Sequence, residues 1–175
     1  MRRRLLVARR TSSRRQSQPP SDSALDAGLR LLARRAHSRV EVLLKLTRRG
    51  YDGTAIRAAL RRLEELGYLD DQSFARSFVR RRGAMRGPRA LSAELAARGV
   101  DRAQVDAAVG EFGEAEQLAS ATRIAERMYA RKPMPGRQAI LDAVGSKLVR
   151  RGFSVAIARA ACLNVLAGAP DSPDG

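Results

Sequence analysis

The chain has 175 residues, enough for one ordinary domain or a short array of small repeats. Its 34 Lys and Arg against 18 Asp and Glu leave a formal net charge of +16, a field that draws polyanions and makes nucleic acid or a nucleoprotein the leading class of partner. One histidine, His37, and one cysteine, Cys162, exclude an internal disulfide and give almost no raw material for a His-based catalytic dyad or a soft-metal centre, so neither an enzyme nor a cofactor or metal carrier is expected.

Residues 1–20 hold seven arginines and no acid, which reads as a disordered basic arm. Being Arg-rich and Ser-containing, the stretch also resembles an organellar targeting peptide, kept as the minor alternative. The apolar run Leu5 to Ala8 is too short for a signal-peptide core. No apolar run approaches the roughly 20 residues that span a bilayer. A soluble cytoplasmic protein follows, in keeping with a lone cysteine in a reducing compartment.

Beyond the arm the chain repeats. VEVLLKLTRRGYDGTAIRAAL, LSAELAARGVDRAQVDAAV and VGSKLVRRGFSVAIARAAC align on an Arg-Gly pair, with glycines at 50, 99 and 152. Val42, Leu91 and Val144 stand eight residues before them, Leu46, Leu95 and Leu148 four before, and Tyr51, Val100 and Phe153 one after. Such spacing marks one buried helical stripe and its exit. Glycine stops a helix cheaply because it alone enters the left-handed region without steric cost. Asp52, Asp101 and Ser154 follow two residues later as N-caps of a new helix, whose inward face continues at Ile56, Val105 and Ala158, then Leu60, Val109 and Cys162.

A further helix precedes each pair, with apolar positions Leu25, Leu29 and Leu32, then Phe74 and Phe78, then Leu118, Ala121, Ala125 and Met128. Ser38 with Glu41 forms a capping box, Pro88 fits a first helical turn, and Pro133, Pro135 and Gly136 break the chain before the last pair. No segment alternates like a strand. The expected fold is therefore all-α: three tandem three-helix units, helix-turn-helix-like, at 21–69, 70–112 and 113–167, stacked into an elongated curved array and followed by a disordered tail at 168–175.

The run Leu69, Asp70, Asp71, Gln72, Ser73, Phe74, Ala75, the turn Gly87, Pro88, Arg89, and the helix end Leu95 to Gly99 resemble the hallmarks of the bacterial RecX family. The likeness covers residues 24 to 110 well and the third unit mainly at Leu148, Arg151, Gly152 and Phe153. It implies three tandem three-helix units lodged in the groove of a RecA filament. There the family restrains filament growth, ATP turnover, strand exchange and repressor self-cleavage. RecA filament is thus the implied protein partner, with single- or double-stranded DNA secondary, no membrane, and a monomeric, bacterial protein. A general basic helix-turn-helix DNA-binding protein without a RecA role is the alternative.

Candidate contacts to RecA or DNA are Lys45, Arg48, Arg49, Arg80, Arg81, Arg82, Arg86, Arg89, Arg98, Arg102, Arg131, Lys132, Arg137, Arg150 and Arg151. The densest group, Arg80 to Arg82 with Arg86 and Arg89, is either a solvated face or a phosphate contact. Arg49, Arg98 and Arg151 form a ladder along a groove or merely face the last carbonyls of their helices. Asp70 and Asp71 are read as helix caps, and Leu69, Phe74, Ala75 and Gly99 as structural. His37 is read as a turn residue and Cys162 as core filler. Because the aromatics fall on inward stripes, few rings are left to stack on bases.

Overall fold

Side-chain caps and glycine stops divide the chain into helices as the spacing demands. In the computed structural model, residues 22–132, 134 and 136–168 are described, and among them every regular element is helical. The first unit comprises α1 (Ala24–Arg34), α2 (Arg39–Arg48) and α3 (Gly53–Glu65). The second comprises α4 (Asp71–Arg82), α5 (Pro88–Ala96) and α6 (Arg102–Gly110). In the third, α7 (Glu114–Arg131) leads to α8 (Gly136–Ile140), which runs through a π-helical turn (Leu141–Gly145) into α9 (Ser146–Arg150), with α10 (Val155–Gly168) last. The expectations for residues 1–20 and 169–175 lie outside the described residues; Gly168 closes α10.

The local signals act as the physics requires. Asp52 accepts from the Thr54 and Ala55 N–H groups, Asp101 from Ala103, and the Ser154 hydroxyl from Ile157. The Ser38 and Glu41 capping box is formed, and Pro88 opens α5. Gly50, Gly99 and Gly152 have φ of 85°, 76° and 94°.

Each unit buries its own cluster: Leu31, Val42, Leu46, Leu60 and Leu63 in the first, Phe74, Phe78, Leu91, Leu95 and Phe112 in the second, Ile124, Ile140, Leu148, Phe153 and Cys162 in the third. The stripe expected on α1 needs correction. Ala24, Ala27, Gly28 and Leu31 are buried, whereas Leu25, Leu29 and Leu32 are only half-buried flanks. The cause is close packing on α3: a methyl at Gly28 would stand 2.7 Å from Leu63 Cδ1, so small residues face the contact and leucines straddle it.

The Arg-Gly exits have a second role. The Ser38 hydroxyl, capping α2, donates to the Arg98 carbonyl at 2.6 Å, and a methyl at Gly99 would stand 2.6 Å from Val40 Cγ2. Likewise the Gly87 N–H donates to the Arg151 carbonyl at 2.9 Å and the Arg89 N–H to the Gly152 carbonyl at 3.2 Å. At both joints the C-terminus of one unit's second helix meets the N-terminus of the preceding unit's second helix. A spare helix-end carbonyl thus meets the Ser38 hydroxyl at the first joint and main-chain N–H groups at the second.

Ser38 and Gly87 each lie twelve residues before their unit's glycine, and the matching position in the third unit is Ile140. There the helix does not begin. Ile140 is fully buried, and α8 extends the helix upstream through the π turn. Unit three therefore has no free helix start at the position that Ser38 and Gly87 occupy in the other two.

Candidate polyanion-binding surface

Three concavities rich in cationic side chains follow the units. The first, about 520 Å³ between units one and two, is lined by Arg35, Ala36, Phe74, Phe78, Arg81, Arg82 and Arg98. Its two rings are well buried, both 5% exposed, with centroids 6.2 Å apart. The Arg98 and Arg82 guanidiniums stand 5.1 and 5.9 Å from the Phe78 ring centre, which restricts where these cations can move. Glu41 holds Arg98 at 2.6 Å and Arg35 at 3.1 Å. Arg81 has no acidic partner among the described residues.

The second concavity, about 460 Å³ between units two and three, is lined by Arg82, Met85, Arg86, Lys147, Arg150 and Arg151. Here Glu94 holds Arg82 at 3.1 Å and Arg86 at 3.2 Å, and the Arg151 guanidinium donates to the Met85 carbonyl at 3.4 Å. The third, about 930 Å³ and within unit three, is lined among others by Arg137, Arg150 and Arg159. Arg82 lines the first two and Arg150 the last two, so shared side chains link all three. Guanidinium forks suit phosphate and carboxylate oxygens, often in pairs of parallel hydrogen bonds.

Among the candidates named from sequence, Arg81, Arg82, Arg86, Arg98, Arg137, Arg150 and Arg151 line these concavities. Arg80 instead donates to the Ser77 hydroxyl at 3.4 Å on the exposed side of α4. Lys45, Arg48, Arg49, Arg89, Arg131 and Lys132 line none of the three, and Arg102 pairs with Asp106 at 3.6 Å. Of the proposed ladder, Arg98 and Arg151 face the clefts and Arg49 does not. Arg35, Lys147 and Arg159 are the lining cations missed. Lys147 precedes Arg151 by four residues, the step that keeps two side chains on one face, and that signal was readable.

The acidic pair of the motif splits in two. Asp70 caps α4 through the Gln72 and Ser73 N–H groups. Asp71 reaches the first unit instead, accepting from the Arg39 N–H at 2.7 Å; burial pushes its carboxyl up, partly offset by that hydrogen bond. His37 is 4% exposed, and its Nδ1–H donates to the Arg35 carbonyl at 2.9 Å. Cys162 is fully buried. Among the described residues no group of His, Cys, Asp and Glu is placed to hold a metal ion, and no helix is long and apolar enough to cross a membrane.

Two family models match, one described as the first three-helix domain of RecX over residues 24–63 and one as its second three-helix domain over residues 70–109. The regulatory protein RecX of Halorhodospira halophila is 41% identical over 143 residues, covering 81% of this chain and 87% of that protein. The chain belongs to the RecX family. A RecX of Thermus thermophilus is 45% identical over 104 residues, 59% of this chain and 72% of that protein. The crystal structure of RecX from Lactobacillus salivarius superposes with a TM-score of 0.74, covering 82% of this chain and 95% of that one, at 21% identity. The last likeness concerns the fold, and it extends the RecX architecture beyond the two matched domains into the third unit. A regulatory role comes with the family.

Proposed function

We propose that this RecX-family chain restrains the RecA recombinase by lying along the RecA filament on DNA, slowing filament growth, ATP turnover, strand exchange and repressor self-cleavage. The protein acts in the bacterial cytoplasm as a monomer, performs no chemistry itself, and touches DNA secondarily. The observation that carries this reading is the run of concavities linked through Arg82 and Arg150, which are lined by cations from all three units. Arg81, Arg82, Arg98, Lys147, Arg150 and Arg151 are the proposed contacts. Such a surface suits a long, regularly charged nucleoprotein better than a small ligand.

The test is a titration of RecA ATPase on single-stranded DNA with the full chain. ATPase falls at substoichiometric protein if the reading is right. Arg81→Glu combined with Arg151→Glu abolishes that inhibition while circular dichroism stays helical. Unaltered inhibition by the double variant overturns the surface. Equal affinity for bare and RecA-coated DNA, with a steep loss in salt through counterion release, replaces the reading with that of a plain DNA-binding protein.

A further inference from the structure

The third concavity differs in kind from the other two. Its lining joins the apolar side chains of Leu141, Val149 and Val155 to the cations Arg137, Arg150 and Arg159. Val155 opens α10 with 69% of its surface exposed, the most exposed large apolar side chain of the described residues. The π turn at Leu141–Gly145 shapes one wall, a local widening often found where a helix is put to use.

Charge separates this groove from its neighbours too. Glu41 and Glu94 partly neutralise the first two clefts. Among the described residues no carboxylate pairs with Arg137, Arg150 or Arg159, and Asp142 of the same helix is engaged by the Gln138 amide at 2.9 Å. A phosphodiester would satisfy the arginines but leave the valines and leucine in water. An acidic polypeptide segment with apolar side chains on one face satisfies both, and about 930 Å³ is room for several such side chains.

We propose that this groove of unit three is a docking site for an acidic, apolar-anchored protein segment, presented by the protein of the filament rather than by its DNA. This rests on the filament reading above and gives the third cleft a contact with the protein of the filament.

The experiment measures binding of the full chain to RecA-coated and to bare single-stranded oligonucleotide, for the unsubstituted protein, Val155→Lys and Val155→Glu. Val155 is exposed, so both variants should keep their helical circular dichroism and melting temperature; Arg159→Glu on the same rim serves as a third variant should they not. Expected is a loss of about tenfold in filament binding for both Val155 variants, as for an interface anchor, with bare-DNA binding undiminished for Val155→Lys. Charge alone would make Val155→Lys bind filament as well or better, and that result overturns the proposal. Parallel loss on bare DNA and filament also overturns it, making the groove a DNA site. An unsubstituted chain that does not prefer filament to bare DNA sinks the filament reading itself, a failure distinct from that of the variants.

Discussion

The two joints between units do the same job by different chemistry. Joint one, between units one and two, is polar: the Ser38 hydroxyl on the Arg98 carbonyl, Glu41 between Arg35 and Arg98, and the Arg39 N–H on Asp71. Joint two, between units two and three, has main chain against main chain, with Gly87 and Arg89 donating to the Arg151 and Gly152 carbonyls. Joint two brings main chain against main chain, so it is sensitive to size; joint one shares that sensitivity at Gly99 but is also held by titratable groups, so it is sensitive to acid and to single hydrogen bonds as well. Because each three-helix core is small, the joints are where one unit's stability becomes the next one's.

Joint two breaks on adding a methyl. At Gly152 the backbone is left-handed, φ 94°, and an added Cβ would stand 2.7 Å from Ala90 Cβ. Gly152→Ala should therefore destabilise the chain by about 2–5 kcal/mol, combining the left-handed penalty with overpacking. Gly87→Ala sharpens the comparison, because φ there is an ordinary −84° and only the overlap with the Phe153 nitrogen and the Gly152 carbonyl remains. It should cost about 1–3 kcal/mol. Denaturant melts check both. If Gly87→Ala unfolds at the parent's midpoint, the close approach is not what holds unit three to unit two.

Much of this was written locally in the chain. Glycine stops at 50, 99 and 152, the caps Asp52, Asp101 and Ser154, and the capping box at Ser38 are each decided within a few residues, whereas the π turn that joins α8 to α9 in unit three was not anticipated. The second task of the Arg-Gly pair was not legible, because its contacts lie on other units: Gly99 against Val40, Gly152 against Ala90. Asp71 does stand in the first turn of α4, where its charge favours the helix dipole, but its tie to the Arg39 N–H of another unit was not legible. For the same reason the site was read only in part. Charge spacing marks Arg81, Arg82 and Arg151, and the four-residue step to Arg151 marks Lys147, but the first two clefts arise only when units meet, which is how Arg35 joins them while the equally basic Arg80 and Lys45 stay outside.

Joint one should fail in smaller steps and by chemistry that joint two lacks. Ser38→Ala removes a fully buried hydroxyl that both caps α2 and satisfies the Arg98 carbonyl, a loss of about 1–3 kcal/mol. Acid then weakens the joint through two groups, His37 and Glu41, while Asp71, whose carboxyl burial pushes up, works the other way. Burial lowers the His37 pKa from 6.5, so the folded chain resists a proton that the unfolded chain takes up, and stability falls as pH drops below 6.5. At Glu41 burial pushes the carboxyl up, but the hydrogen bond from Arg35 and the charges of Arg35 and Arg98 outweigh it and leave the group below its ordinary 4.5. Its contribution is present above 4.5 and is lost as pH falls through the lower folded-state value. Glu41→Gln, in a pair whose arginines are partly exposed, should cost about 0.5–1 kcal/mol near neutrality. His37→Gln should flatten the decline in stability between about pH 7.5 and about pH 5.5, the upper of the two steps, without touching the lower one. Melts at those two pH values decide it: a decline as steep in His37→Gln as in the parent would place the acid-sensitive group elsewhere than at joint one.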